Sequence, residues 1–339
     1  MIIDTKEIFG HLLLKTICLF IISVLSSIQC AENDQKLKFY REIPELDGNV
    51  ITGYSIYKEI ENPAGMIVII EGPTKDPYKN DEIVQYVCNW TKIPELAYKQ
   101  GWTTIFIPYG DNLYMTDNLY QAFQMCIRHV FRKNGTGVRN YIIGGFSAGG
   151  AMAISLSEFL IRDNKKDLIP KAVFGVDPVL DLTELYKASV REVSRNYKTD
   201  STGTSEAKSV IERLNKELGN LTTDNLINYT ENSPYTMTRE DGGNTRYLRS
   251  TPIRMYHELD PMWSMKERGR PITDENGIVG CEFIYNLYSS GNKKAEVILT
   301  YNRGSRLDGT RHPHSWNIVD EKAFIDWAKL IFANNLSHK

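Results

Sequence analysis

Cysteine is scarce in this chain: five in 339 residues, two of which, Cys18 and Cys30, fall in the first 31 positions. Cys88, Cys126 and Cys281 remain beyond them, an odd number that permits one bridge and leaves a thiol over, so no cysteine framework holds the fold. Metal-ligand spacing is missing as well. His312-x-His314 is the only close histidine pair, and no cysteine or carboxylate cluster with zinc spacing accompanies it. The glycines form no G-x-G-x-x-G fingerprint or phosphate cradle, so no motif calls for a cofactor. An excess of basic charge is also lacking: 40 basic and 42 acidic residues leave a formal charge of −2, which argues against a nucleic-acid binder and a polybasic membrane-surface protein. There is no internal repeat. The longest apolar run, from Ile17 to Ile28, is too short for a bilayer, which needs about 20 apolar residues.

That run has another use. Lys6 and Lys15 precede it and "QCAEND" follows, the layout of a secretory leader over residues 1–31 that exits near Cys30 or Ala31. The expectation is a secreted or periplasmic protein with no stable membrane span after leader removal. Lipoprotein anchoring at Cys30 is the alternative, and Ser27 and Gln29 fit that signal poorly. Asn89, Asn134, Asn220, Asn228 and Asn335 each open an N-x-Ser/Thr sequon, which matters only in a glycosylating host.

The remaining chain, 42% hydrophobic over the whole sequence, is long enough to bury a large core. Short β-rich runs alternate with helical patterns: strands at 65–70, 103–110, "NYIIGG", "KAVFGVD", 252–260 and 295–301, with helices at 93–101, 114–133, "GAMAISLSEFLI", 278–290 and 320–332. In "LYQAFQMCIRHVF", Leu119, Phe123, Cys126 and Val130 share one helical face, which makes Cys126 a buried core thiol. Such alternation predicts an α/β fold with a mostly parallel sheet covered on both faces. The alternation breaks over 183–250, where two helical fragments sit in polar sequence, and a cap-like insertion is expected there.

Within "IIGGFSAGGA" (142–151), a buried strand ends in small residues around one hydroxyl. Gly145-Phe146-Ser147-Ala148-Gly149 fits the G-x-S-x-G elbow, in which a nucleophile sits on a tight strand-to-helix turn and flanking glycines let the turn close. The bland reading is that small residues merely let a helix pack close on a sheet. The position between strand and helix favours the elbow. A serine needs a base, and the base an orienting carboxylate, in the chain order Ser, acid, His. That order leaves His312 and His314, in "GTRHPHSWN", out of six histidines; His314 leads into the last helix and is the expected base, with His312 the alternative. Asp260 ends the strand "PIRMYHELD" before Pro261 and is the expected acid. Asp177, which also precedes a proline at a strand end, is the alternative, and Glu258 shares a face with Asp260. Asp181, with Glu184 three residues later, reads as a helix N-cap.

With these residues placed, the chain resembles the α/β-hydrolase superfamily. "GGFSAGGAM", "PVLDLTELY" and "GTRHPHSWNIVDE" are similar to esterase and lipase-like members, including uncharacterised exported bacterial proteins. The resemblance implies an eight-stranded sheet across residues 32–339 and serine hydrolase chemistry on a small-molecule or acyl-ester substrate. Where many esterases carry His-Gly-Gly, this chain reads Glu71-Gly72-Pro73-Thr74, and Pro73 has no N–H to give. The expected oxyanion donors are Ala148 with Gly72 or Thr74. The expected reaction is carboxylic ester hydrolysis through an acyl-enzyme. A serine peptidase of the same fold and a noncatalytic binding protein are the alternatives.

Overall fold

Gly65–Glu71 (β3) is buried along its whole length because both of its faces are covered. Met66, Val68 and Ile70 enter one core, whereas Ile67 and Ile69 enter a second core on the opposite side of the sheet. The structure, a computed structural model, describes residues 38–40, 53–72, 80–110, 112–133, 140–195 and 201–333. The expected leader at 1–31, Cys30 and Thr74 lie outside the described residues.

The other strands are β1 (Lys38–Tyr40), β2 (Tyr54–Tyr57), β4 (Trp102–Pro108), β5 (Tyr141–Phe146), β6 (Ala172–Val176), β7 (Ile253–Glu258) and β8 (Ala295–Thr300). They form one eight-stranded sheet in the order β1-β2-β4-β3-β5-β6-β7-β8. β1 pairs with β2, and β2 with β4, antiparallel; β3 to β8 run parallel to their neighbours.

Helices cover both faces. On one side α3 (Asp117–Lys133), α4 (Ala148–Arg162) and α8 (Asn276–Ser289) bury Phe123, Met152 and Phe283. Leu119, Phe123, Cys126 and Val130 of α3 face inward together, and burial pushes the Cys126 thiol up to about 12. On the other side α1 (Asn80–Trp90), α2 (Ile93–Lys99) and α9 (Glu321–Ala333) contribute Val87, Ile93, Phe324 and Trp327.

The described part of 183–250 is more ordered than expected. It holds α5 (Leu182–Arg195), α6 (Ser201–Leu218), α7 (Leu226–Asn232) and a 3-10 turn at Gly243–Leu248. Leu182, Leu214, Leu218 and Tyr229 pack these helices into a small core of their own. As expected of a cap, Asp181 accepts from the N–H groups of Thr183 at 2.8 Å and Glu184 at 3.2 Å, where α5 begins. Its other oxygen accepts from Met237 N–H at 2.9 Å, which ties the segment after α7 to the same helix start.

Candidate active site

The sheet register sets the site. Phe146 pairs with Val176 and Val176 with Tyr256, so the next residue on each strand, Ser147, Asp177 and His257, stands in one row at the carboxyl edge. Ser147 joins β5 to α4 at φ 52° and ψ −125°, a left-handed conformation that costs a non-glycine residue about 1–3 kcal/mol. Its N–H donates to the Val176 carbonyl at 2.9 Å. The turn closes only because Gly145 and Gly149, two residues to either side, lack side chains. A Cβ on Gly145 would lie 2.2 Å from the Ile70 carbonyl oxygen, and one on Gly149 would lie 2.1 Å from that oxygen.

His314 reaches this row from the loop between β8 and α9. Ser147 Oγ–H donates to His314 Nε2 at 3.0 Å, and His314 Nδ1–H donates to Asp177 Oδ2 at 2.5 Å. The second bond fixes the tautomer, leaving the Nε2 lone pair for the serine. Ring contacts position the imidazole: the Phe146 ring lies 4.5 Å from it, centroid to centroid. Behind it, Trp316 is buried and donates its indole N–H to Glu71 Oε2 at 2.9 Å, linking the histidine loop to the end of β3. Burial pushes the Glu71 carboxyl up to about 8, against the downward pull of the bonds from Trp316 and the Gly72 N–H.

Of the two aspartates expected to serve as acid, the structure brings the alternative, Asp177, to His314. Asp260 does not meet His314. Its Oδ1 caps the single-turn helix Pro261–Trp263 by accepting from Trp263 N–H at 3.0 Å, and its Oδ2 accepts from Arg311 at 2.8 Å. Asp260 stands three residues past the row that His257 occupies, whereas Asp177 stands in the row, one strand nearer Ser147. Glu258 is buried and also faces Arg311, at 2.6 Å. Burial pushes the Asp177 carboxyl up, but hydrogen bonds from His257 and His314 outweigh it and hold the group well below the usual carboxylate range.

His312, the alternative base, is turned elsewhere: its Nδ1–H donates to the His314 carbonyl at 2.7 Å and its ring packs edge-on against Trp263, 5.1 Å away. Burial lowers its affinity for a proton. Of the expected oxyanion donors, Ala148 opens α4, where the first N–H groups have no acceptor within the helix. Gly72 is engaged: its N–H points to Glu71 Oε1 at 3.3 Å and its carbonyl accepts from Tyr109 Oη at 3.0 Å.

Chain order sets His257 aside, because it precedes the expected acid Asp260. It is fully buried on β7, and its Nδ1–H donates to Asp177 Oδ1 at 2.7 Å. Aligning Phe146, Val176 and Tyr256 as strand partners would have put it beside Asp177, but register across parallel strands is not written in one sequence.

A cavity of about 100 Å³ opens beside Ser147 and His314, with Val179, Leu185, Val210 and Trp263 in its wall. Arg268 and Arg270, also in the wall, donate at 3.1 Å and 2.6 Å to the buried Glu192 of α5, which joins α5 to the turn after Trp263.

These features define the fold: the sheet order and the strand-turn-helix at Ser147 are those of the α/β-hydrolase fold. A carboxyl esterase from the fungus Tuber melanosporum superimposes with a TM-score of 0.51 at 16% identity, over 87% of this chain and 86% of that one. An esterase from Pyrobaculum calidifontis gives 0.51 at 14% identity, over 95% and 93%. An acylaminoacyl peptidase from Pyrococcus horikoshii gives 0.50 at 14% identity; this chain spans only 41% of its length. More particularly, the sequence model of a family described as steryl acetyl hydrolase matches residues 80–240, from the start of α1 to the segment after α7. No protein of curated function matches the chain in sequence.

Proposed function

We propose that this protein is a serine ester hydrolase, with Ser147 as nucleophile, His314 as general base and acid, and Asp177 as the orienting carboxylate. The reading is carried by the continuous chain of hydrogen bonds from Ser147 through His314 to Asp177, at 3.0 and 2.5 Å, opening on a cavity. Ser147 Oγ attacks the ester carbonyl as its proton passes to His314 Nε2. The buried Asp177 carboxylate balances the imidazolium. The oxyanion takes the Ala148 N–H at the positive end of α4, with the second donor one of the expected pair, Gly72 or Thr74. His314 returns the proton to the departing alcohol, then activates water against the acyl-enzyme, which releases the acid and restores Ser147.

The cavity supports a short acyl group, since about 100 Å³ is less than the roughly 150 Å³ of an engineered cavity that holds benzene. The match to a family described as steryl acetyl hydrolase supports an acetyl ester. Export is part of the proposal, on the leader pattern of residues 1–31 alone.

A panel of p-nitrophenyl esters of rising acyl length tests the reading. Acetate and butyrate should turn over, longer chains progressively less, and Ser147→Ala should lose at least about 10³-fold in kcat. A folded protein that hydrolyses none of the esters would point instead to a binding role.

A further inference from the structure

Asp177 serves two histidines, and only one of them reaches the serine. His314 occupies Oδ2 at 2.5 Å, while His257 donates to Oδ1 at 2.7 Å. We propose that His257 is a positioning residue for acyl transfer, holding the Asp177 carboxylate so that Oδ2 faces His314. This rests on the reading of Ser147, His314 and Asp177 given above.

Three observations carry it. First, His257 has no exposed surface, so water does not compete for its bond to Asp177. Secondly, its Nε2 is buried with no partner among the described residues, a cost that an apolar side chain of similar size would avoid. The ring is therefore poor filling for this place, and its one used polar atom is the Nδ1–H on Asp177. Thirdly, α8 is hollowed to admit it: a Cβ on Gly280 would lie 2.0 Å from His257 Nε2, and one on Gly277 would lie 3.2 Å from His257 Cβ.

The carboxylate needs this hold. Asp177 has a positive φ of 46°, and its main chain is pinned by its N–H on the Tyr256 carbonyl at 2.8 Å and by Asn276 Nδ2–H on its own carbonyl at 3.2 Å. Neither bond fixes rotation of the carboxyl group. With Oδ1 released, the carboxylate turns toward whatever donor it finds, and the imidazole at 314 loses its aim.

The test compares His257→Leu, which keeps bulk and removes the donor, with His257→Asn, whose side-chain N–H₂ sits near the place of Nδ1. On p-nitrophenyl acetate, kcat should fall about 10- to 100-fold in the leucine variant with KM nearly unchanged, and the asparagine variant should recover to within about fivefold of wild type. Wild-type turnover by a folded leucine variant would overturn the proposal, as would an equal fall in both variants at equal Tm. Should the leucine variant not fold, Gly280→Ala, which drives a methyl against Nε2 while leaving His257 in the chain, must show the same selective loss of kcat; if it does not, the proposal fails. Fluorophosphonate labelling of wild type and Ser147→Ala, run alongside, separates this failure from that of the underlying reading: labelling confined to Ser147 upholds the reading whatever the variants at 257 do.

Discussion

At the scale of single residues, two aspartates of similar local sequence have been given different work. Asp177 and Asp260 each follow a strand and each precede a proline, yet only Asp177 shares the row of Ser147. Asp177→Ala should therefore lower kcat by about 10³- to 10⁴-fold, the scale on which a misaligned histidine fails in triad enzymes. Asp260→Ala removes a cap and a partner of Arg311, and should lower stability by about 1 kcal/mol with kcat largely kept. Turnover and denaturant titration of both variants would separate the two roles; equal kcat losses at equal stability would contradict the assignment. The pairing of Ser147 with His314 was legible in the sequence because one sits in a five-residue motif and the other is the histidine that leads from the loop into the last helix. The carboxylate that meets His314 was not, because chain order ranks strand ends equally and only the paired register tells which tip lies beside the serine.

At the scale of elements, the elbow and the start of α5 make separate demands. Gly149→Ala puts a methyl 2.1 Å from the Ile70 carbonyl, a backbone atom that cannot move aside without disturbing β3. The expected cost is about 3 kcal/mol or more, with slower fluorophosphonate labelling of Ser147, as measured by urea unfolding and by labelling rate. Asp181→Ala should cost about 1–2 kcal/mol, since it removes the α5 cap and the anchor of Met237 together; a loss below a few tenths would show that the cap is dispensable. Strands β3 and β5 were readable as apolar runs with turn residues after them. Helix α5 was readable only at its cap, Asp181, because its buried positions include Ser189 and Glu192, and a buried face built on an ion pair with Arg268 and Arg270 breaks the apolar period that marks a helix. β2 escaped notice because four residues, all buried, carry no alternation.

At the scale of the whole molecule, stability should depend on pH through carboxyls that folding keeps protonated. Burial raises Glu71 from 4.5 to about 8, and Glu158 of α4, without a hydrogen-bond partner among the described residues, is also pushed far up by burial. Between pH 4.5 and about 8, Glu71 holds a proton in the folded chain that the unfolded chain has lost. Stability therefore falls as pH rises through that window, and the loss is complete above it. The Glu71 share is on the order of 5 kcal/mol at most. Glu71→Gln should flatten the slope without abolishing it, because Glu158 remains; urea unfolding at pH 5, 7 and 9 gives the comparison, and identical slopes in the two proteins would contradict the burial of an ionisable Glu71. The consequence reaches the site, since Glu71 holds both Gly72 and the indole of Trp316 behind His314. The measurement that bears most directly on the function is peptide mapping of the protein after brief treatment with a fluorophosphonate. A single phosphonylated residue, Ser147, with the adduct formed far more slowly in Asp177→Ala and at nearly the wild-type rate in Asp260→Ala, is the predicted result. An adduct on another residue, or none on a folded protein, would contradict it.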